Sequence, residues 1–387
     1  MLSAKCRPAH VISGSSFKSG KQTKTTKGSY TVKAMKHQPT KKIIKQGCQL
    51  LLFLLLMALT FYTIFHNNDI GEIFTALKSL QPSYFFLAVL CALFFVCTEG
   101  FMIWYLLRLT GKAPGLIRCF GYSFIGFFFS GITPSATGGQ PAQLVSMKKD
   151  GIPLGDSTLT LMAVALLYKL VLVLTGIGLL FFRRDILYTY LGGYMALYYL
   201  GLFLNSLLVV LLLLVMFHGQ WMERLLLSAE QIGIRLHLCR LSEKRREVFH
   251  RTVADYQSTL GFFLTHKSKI LFAAFCTFLQ RCSLFLLTYL IYRGMGLSDF
   301  HAITVMLLQA AIYISVDMLP LPGSQGISEL MYHTVFAPVF TGGTLAASMY
   351  ITRGISFYLL LLLGFLAVCK EYCFRRASAD APYFQSR

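Results

Sequence analysis

Six ionisable residues stand inside otherwise apolar stretches: Lys169, Arg281 and Arg353 carry positive charge, and Glu99, Asp317 and Glu329 carry negative charge. A cation at the centre of a membrane-spanning helix costs about 2.5 to 3.5 kcal/mol on insertion scales, so such residues need partners or a polar cavity. Two readings follow. The six pair with one another for structure, or the cations line a cavity that receives a charged headgroup, with phosphate as their counter-ion. Buried pairs often gain no net stability over apolar replacements, which favours the second reading. His333, Asn205 and Gln309 read as hydrogen-bonding glue between helices.

Two further clusters break the apolar pattern. The run from Thr133 to Lys149 contains Pro134, Gly138, Gly139, Gln140 and Pro141, and the run from Leu319 to Glu329 contains Pro320, Pro322, Gly323, Gln325 and Gly326. Each is expected to end one helix and start another. The free N–H groups of a restarted helix attract anions. Gln140 and Gln325 then either add amide donors to that site or cap the new helices. One Pro-Gly cluster alone would read as a loop or kink, because both residues are common in membrane helices. The two clusters, however, lie in register: Pro320 follows Pro134 by 186 residues, and Arg353 follows Lys169 by 184.

The elements that must hold these residues are apolar helices. The chain has 387 residues, 55% hydrophobic and 13% charged, which is more apolar surface than one soluble core hides. Six stretches meet the length of a spanning helix: Gly47 to Phe65, Ser83 to Leu107, Ser157 to Phe182, Tyr188 to Phe217, Lys269 to Tyr292 and Leu345 to Lys370. Leu116 to Ile132, His301 to Leu319 and Ile327 to Phe340 are shorter or broken. The fold class expected is therefore an all-α polytopic membrane protein with about six full spans and two re-entrant helical hairpins. The first 45 residues hold 11 Lys and Arg and no acid, so the N-terminus is expected in the cytoplasm. Counting spans from there puts most of the 36 basic residues and the C-terminus on the same side, provided both broken segments turn back; Arg183 and Arg184 fit poorly.

This arrangement repeats with inverted direction. Span, hairpin and span over about 83–182 are followed by span, hairpin and span over about 269–370. Transporters built this way hold substrate where broken helices meet near the midplane. The remaining organisation is a basic, disordered tail over 1–42, a transmembrane domain over 43–370, an amphipathic connector over 218–267 and a cytoplasmic tail over 371–387. Met35 is an alternative start. The connector places Phe249, Val253, Tyr256 and Leu260 at helical spacing beside Lys244, Arg245, Arg246 and Arg251, a pattern suited either to an anionic membrane surface or to packing on the bundle. The first apolar stretch lacks a cleavage pattern and reads as a retained span.

Other chemistry finds little support. The ten cysteines include no C-x-x-C pair, and no nucleotide-binding, zinc-protease or nucleophile-elbow motif occurs, so neither cofactor nor metal is expected. The net charge of +20 follows the cytoplasmic bias, which argues against nucleic acid as a partner.

The paired motifs, Ile132 to Gln143 followed by Lys148 to Pro153, and Leu319 to Glu329, resemble the lysylphosphatidylglycerol synthase transmembrane-region family of bacterial flippase-like proteins. The resemblance covers roughly Ile43 to Lys370. In the best-known member this region flips an aminoacylated phospholipid between leaflets, and a separate domain makes that lipid. This chain extends about 17 residues beyond its last apolar stretch, so it is expected to be a stand-alone flippase-type module. Ser324 stands where the family commonly has glycine, and Gln140 where some members carry an acid. The resemblance implies a translocator in the plasma membrane of a Gram-positive-like bacterium, moving an anionic or aminoacylated phospholipid or a glycolipid. A separate lipid synthase or glycosyltransferase, and a second copy of the chain, are the protein partners considered. Two alternatives stay open: a membrane-embedded transferase using Glu99, Asp317 or Glu329 as general base, and a scaffold for a separate synthase.

Overall fold

A computed structural model describes residues 78, 80–111, 114–217, 260–261, 265–324, 326–341 and 344–380, with the backbone alone at 134, 322 and 372–380. The expected span from Gly47 to Phe65, the N-terminal tail, nearly all of the connector, the end of the C-terminal tail and Gln325 lie outside these residues. The described residues are helical throughout, without strands. The helices are α1 (Pro82–Leu109), α2 (Leu116–Ile132), α3 (Gly139–Lys149), α4 (Leu154–Phe182), α5 (Arg184–Leu191), α6 (Met195–Phe217), α7 (Lys267–Gly294), α8 (Ala302–Val316), α9 (Ile327–Phe336), α10 (Thr344–Arg353) and α11 (Leu360–Asp380).

Length and apolarity divide these helices into two kinds. Five segments are long and apolar enough to cross a membrane: α1, α4, the run Arg184–Phe217, α7 and Thr344–Glu371. A rise of 1.5 Å per residue makes the 29-residue α4 about 43 Å long, more than the roughly 30 Å hydrocarbon core. By the same measure α2, with 17 residues, reaches about 26 Å and α8, with 15, about 22 Å, both shorter than that core. Large apolar side chains such as Phe86, Leu90, Phe203, Leu207 and Leu271 face outward, the face that lipid covers in a chain of this composition.

Helices α1 and α7 form the axis of the bundle and run antiparallel. The Gln81 N–H donates to Gly294 O at 3.0 Å, Gln280 Nε2 donates to Phe95 O at 2.8 Å, and Thr277 Oγ1 reaches Met102 Sδ at 3.0 Å, so the pairing advances in opposite directions along the two helices. Several of the remaining contacts come in exchanged pairs, while α6 packs on α4 and α8 without a counterpart among the described residues. α1 packs on α2 as α7 packs on α8, α2 meets α3 as α8 meets α9, and α3 meets α4 as α9 meets α10. Across the axis, α4 packs on α8 while α11 packs on α2.

Both broken segments fold back on themselves. Arg118 at the start of α2 bonds Asp150 just after α3, with Nε to Oδ2 at 2.5 Å, so the two arms begin and end at the same place. Phe300 before α8 and Phe340 after α9 both pack on Tyr292, at centroid distances of 6.3 and 5.6 Å. The first pair of ends meets beyond the C-terminus of α1 and the second beside the C-terminus of α7, hence at opposite ends of the antiparallel axis. The two turns meet between them: Ser135 Oγ donates to Leu319 O at 3.5 Å.

Why the chain breaks here is legible locally. Pro134 and Pro322 each open a short 3-10 turn, in which Ser135, Ala136, Gly323 and Ser324 take positive φ of 50 to 58°. Three of these are not glycine, so the backbone is strained and surrounding bonds must hold it. Thr133 Oγ1 donates to Phe129 O at 2.7 Å and accepts the Gly138 N–H at 2.9 Å, while Ser324 Oγ donates to Val316 O at 2.9 Å. These bonds satisfy carbonyl and amide groups that the broken helices release, which lipid cannot do. Gly139 lets α3 lie against α2, since a Cβ there would come within 2.7 Å of Gly126 O.

Candidate functional site

Four of the six charged residues meet beside the second break, and the structure resolves the partners of all six. Lys169 projects from α4 onto Asp317, which follows the last residue of α8, and its Nζ bonds that carboxylate directly. Nζ also donates to Asn205 Oδ1 on α6 at 3.2 Å and lies 3.2 Å from Met318 Sδ. Asn205 Nδ2 in turn donates to Gly201 O at 2.9 Å, which fixes the orientation of the amide. Both members of the Lys169–Asp317 pair keep 14% of their side-chain surface accessible, so the pair is not fully sealed.

Arg353 ends α10, where the chain turns through a π-helical segment, Gly354–Leu359. Its Nε donates to Glu329 Oε1 at 2.8 Å, and one terminal nitrogen donates to Gly323 O at 3.0 Å. Glu329 is also committed to its own helix: its Oε2 accepts the Gly326 N–H at 2.6 Å and Ser328 Oγ at 2.9 Å. The anion-attracting start of α9 is thus filled by the chain's own carboxylate. The start of α3 is different. No side chain caps it, Gln140 is exposed in its first turn, and Pro141 follows, where a missing N–H has no helical partner to lose.

Glu99 makes no bond to any of the three cations. Its Oε1 accepts Gln143 Nε2 at 2.6 Å, tying α1 to α3. The buried Gln143 side chain lies against Gly126, where a Cβ would approach its Cγ to 2.8 Å. Removing one partner of such a bond leaves the other unsatisfied and costs about 1 to 3 kcal/mol. Glu99→Ala is therefore expected to lower stability by about that amount, with Glu99→Gln closer to wild type, as read by thermal unfolding in detergent.

Arg281 is the anomaly of the site. It projects from α7, its residue is 1% exposed, and its three side-chain nitrogens have no hydrogen-bond partner among the described residues. Its guanidinium lies over the Tyr168 ring, 3.2 Å from the centroid, so a cation–π contact supports it in place of an ion pair. The Lys169 ammonium lies 5.9 Å from the centroid of the same ring, so Arg281 and the Lys169–Asp317 pair are neighbours around Tyr168.

Four of the six predicted charges are therefore paired, two on each side of the second break. Glu99 and Arg281 have other partners. His333 is exposed, Gln309 is buried with no partner for its oxygen among the described residues, and Asn205 holds Lys169. Sequence reasoning missed Tyr168, Gln143 and the latch at the base of α2. There Arg118 bonds Glu371 on α11 at 2.5 Å as well as Asp150, and Tyr122 donates to Asp150 at 2.5 Å. Glu371 above all, with Asp150, holds the Arg118 guanidinium above its ordinary pKa. No local signal joins Arg118 to Glu371, 253 residues away.

The profile of one protein family, described as the lysylphosphatidylglycerol synthase TM region, matches residues 48–364. No curated protein matches the chain. With most of its length inside that profile, and five helices long and apolar enough to cross a bilayer, this chain is a multi-pass membrane protein that belongs to the lysylphosphatidylglycerol synthase TM region family.

Proposed function

We propose that the protein translocates a lipid headgroup, from an anionic or aminoacylated phospholipid or a glycolipid, across a bacterial plasma membrane. The observation that carries this reading is the placement of two partly accessible ion pairs, Lys169–Asp317 and Arg353–Glu329, beside a helix break that meets a second break. Strained, non-helical backbone at membrane depth is tolerated only where it is buried in protein or lines a watered cavity, and the partly accessible pairs beside the break favour the second. Charged groups placed there replace part of the hydration a headgroup loses, which lowers the barrier to crossing without bond-making.

The architecture supports the same reading. Arms shorter than the hydrocarbon core, ends that return to one place and an antiparallel α1–α7 axis favour two re-entrant hairpins entering from opposite leaflets. The exchanged helix contacts favour an inverted repeat over about 83–182 and 269–370, with Lys169 and Arg353 at matching positions. Arg118, Lys148, Lys149 and Lys370 gather at the end of the bundle where the α2 latch meets α11, in keeping with a cytoplasmic face there and with both chain termini on that side. The protein then works on lipid that another enzyme, a lipid synthase or glycosyltransferase, supplies.

Reconstitution into liposomes carrying a fluorescent phosphatidylglycerol, with reduction of the outer-leaflet label by dithionite, tests this function. Wild-type protein is expected to expose the inner-leaflet label, and Lys169→Met and Arg353→Met to reduce that rate by about tenfold or more, at about 1.4 kcal/mol of barrier per factor of ten. Unchanged rates in folded variants would remove both residues from the mechanism. Conversion of the labelled lipid by purified protein alone would instead assign a transferase.

A further inference from the structure

Lys169, Asp317 and Arg281 form an unbalanced triad, two cations with one carboxylate between them. Lys169 holds Asp317 and remains partly accessible. Arg281 is sealed, stacked on Tyr168 and without a hydrogen-bond partner among the described residues, although the Lys169 ammonium that holds Asp317 lies only 5.9 Å from the centroid of the same Tyr168 ring. A buried guanidinium left in this state costs several kcal/mol, and pairing it is the obvious way to recover that energy. Arg353 offers no such freedom, because Glu329 is held by Gly326, Ser328 and Arg353 together.

We propose that Asp317 is a switching carboxylate, which leaves Lys169 for Arg281 when a singly charged phosphate group docks on Lys169. The inference rests on the translocator reading for the source of that phosphate, and on the triad alone for the switch. Docking without the switch would crowd two anions on one ammonium and leave Arg281 unpaired. With the switch, the ligand neutralises Lys169, Asp317 neutralises Arg281, and the excess charge of the triad disappears. The count selects a monoanion, such as a phosphodiester. Asp317 sits where α8 ends and the break begins, so its movement would pull on the Leu319 carbonyl that receives Ser135 and carry the binding event to the first break. Arg281 is then a positioning residue that the ligand never touches.

The test is a binding cycle on full-length protein in phosphatidylcholine nanodiscs, with dioctanoyl-phosphatidylglycerol, uncharged dioctanoylglycerol and inorganic phosphate as probes. Arg281→Gln is expected to raise the Kd for dioctanoyl-phosphatidylglycerol by about tenfold, because Asp317 loses its destination. Adding Asp317→Asn to that variant is expected to bring the Kd back to within about threefold of wild type, because Lys169 no longer gives up a partner. Arg281→Lys, which keeps a receiving charge, is expected to bind nearly as wild type does and covers the case in which the glutamine variant fails to fold. An unchanged Kd in Arg281→Gln overturns the switch. A double variant as weak as Arg281→Gln also overturns it, since Arg281 would then contact the ligand itself. Phosphatidylglycerol binding without phosphate binding assigns a lipid headgroup; equal binding of both assigns a free anion and removes support from translocation, with the switch intact. Wild type that moves no labelled lipid but still shows the rescue sinks the translocator reading alone.

Discussion

Asp317→Ala is expected to be the most damaging charge substitution in the protein, lowering stability by about 3 to 5 kcal/mol. The magnitude follows from what is left behind. Lys169 loses its carboxylate and retains the neutral Asn205 oxygen and Met318 sulfur, while neighbouring Arg281 already has no hydrogen-bond partner among the described residues. Two cations, Arg281 buried and Lys169 partly accessible, then stand without a hydrogen-bonded carboxylate among the described residues, held by Tyr168 and an amide. Replacing both partners, as in Lys169→Met with Asp317→Leu, is expected to recover most of the loss, because the desolvated charges of the pair are gone. Thermal unfolding in detergent of the two single variants and the double variant measures the effect. A double variant no more stable than Asp317→Ala would mean that the pair stabilises the fold by more than its desolvation cost.

Gly201→Val is expected to cost about 3 kcal/mol, the upper end of what overpacking usually costs. A Cβ at Gly201 would lie 2.8 Å from both Cα and O of Ser315, and closer still to the Ile314 carbonyl. These are backbone atoms of α8 and cannot rotate aside. Helix α6 must therefore move away from α8, opening a contact that small residues allow to be close. The same movement would displace Asn205, one turn along α6, from Lys169 and so disturb the site through packing alone. Gly178→Val is the control, since a Cβ there meets nothing within 4 Å. Equal unfolding temperatures for the two variants would show that the α6–α8 approach is not a constraint.

Much of the scaffold could be read from residue order. The arm over Leu116–Ile132 was delimited by its apolar run and the Pro-Gly cluster beyond it, and the structure ends that helix at the same residue. The restart at Ile327 follows the second cluster in the same way. Breakers act on the backbone locally, which is why they can be recognised without the fold. The run read as one span from Tyr188 to Phe217 begins in the structure as α5 and bends at Gly192, where φ of 49° favours glycine. The last span contains a π-helical turn right after Arg353, which no local pattern announced. That turn depends on what Arg353 and Phe357 pack against, and both lean on the distant second break.

Residue order by itself determined the all-helical membrane class of this protein, five segments long and apolar enough to span a bilayer and the two places where helices stop, because apolar length and backbone breakers are local properties. It left the partners open. The tertiary structure alone decided that Lys169 meets Asp317 across 148 residues, that Glu99 turns to Gln143 and that Arg281 stands on a tyrosine face. Which carboxylate reaches which cation depends on where antiparallel helices cross and how two strained turns meet, and no spacing along one chain encodes that distance.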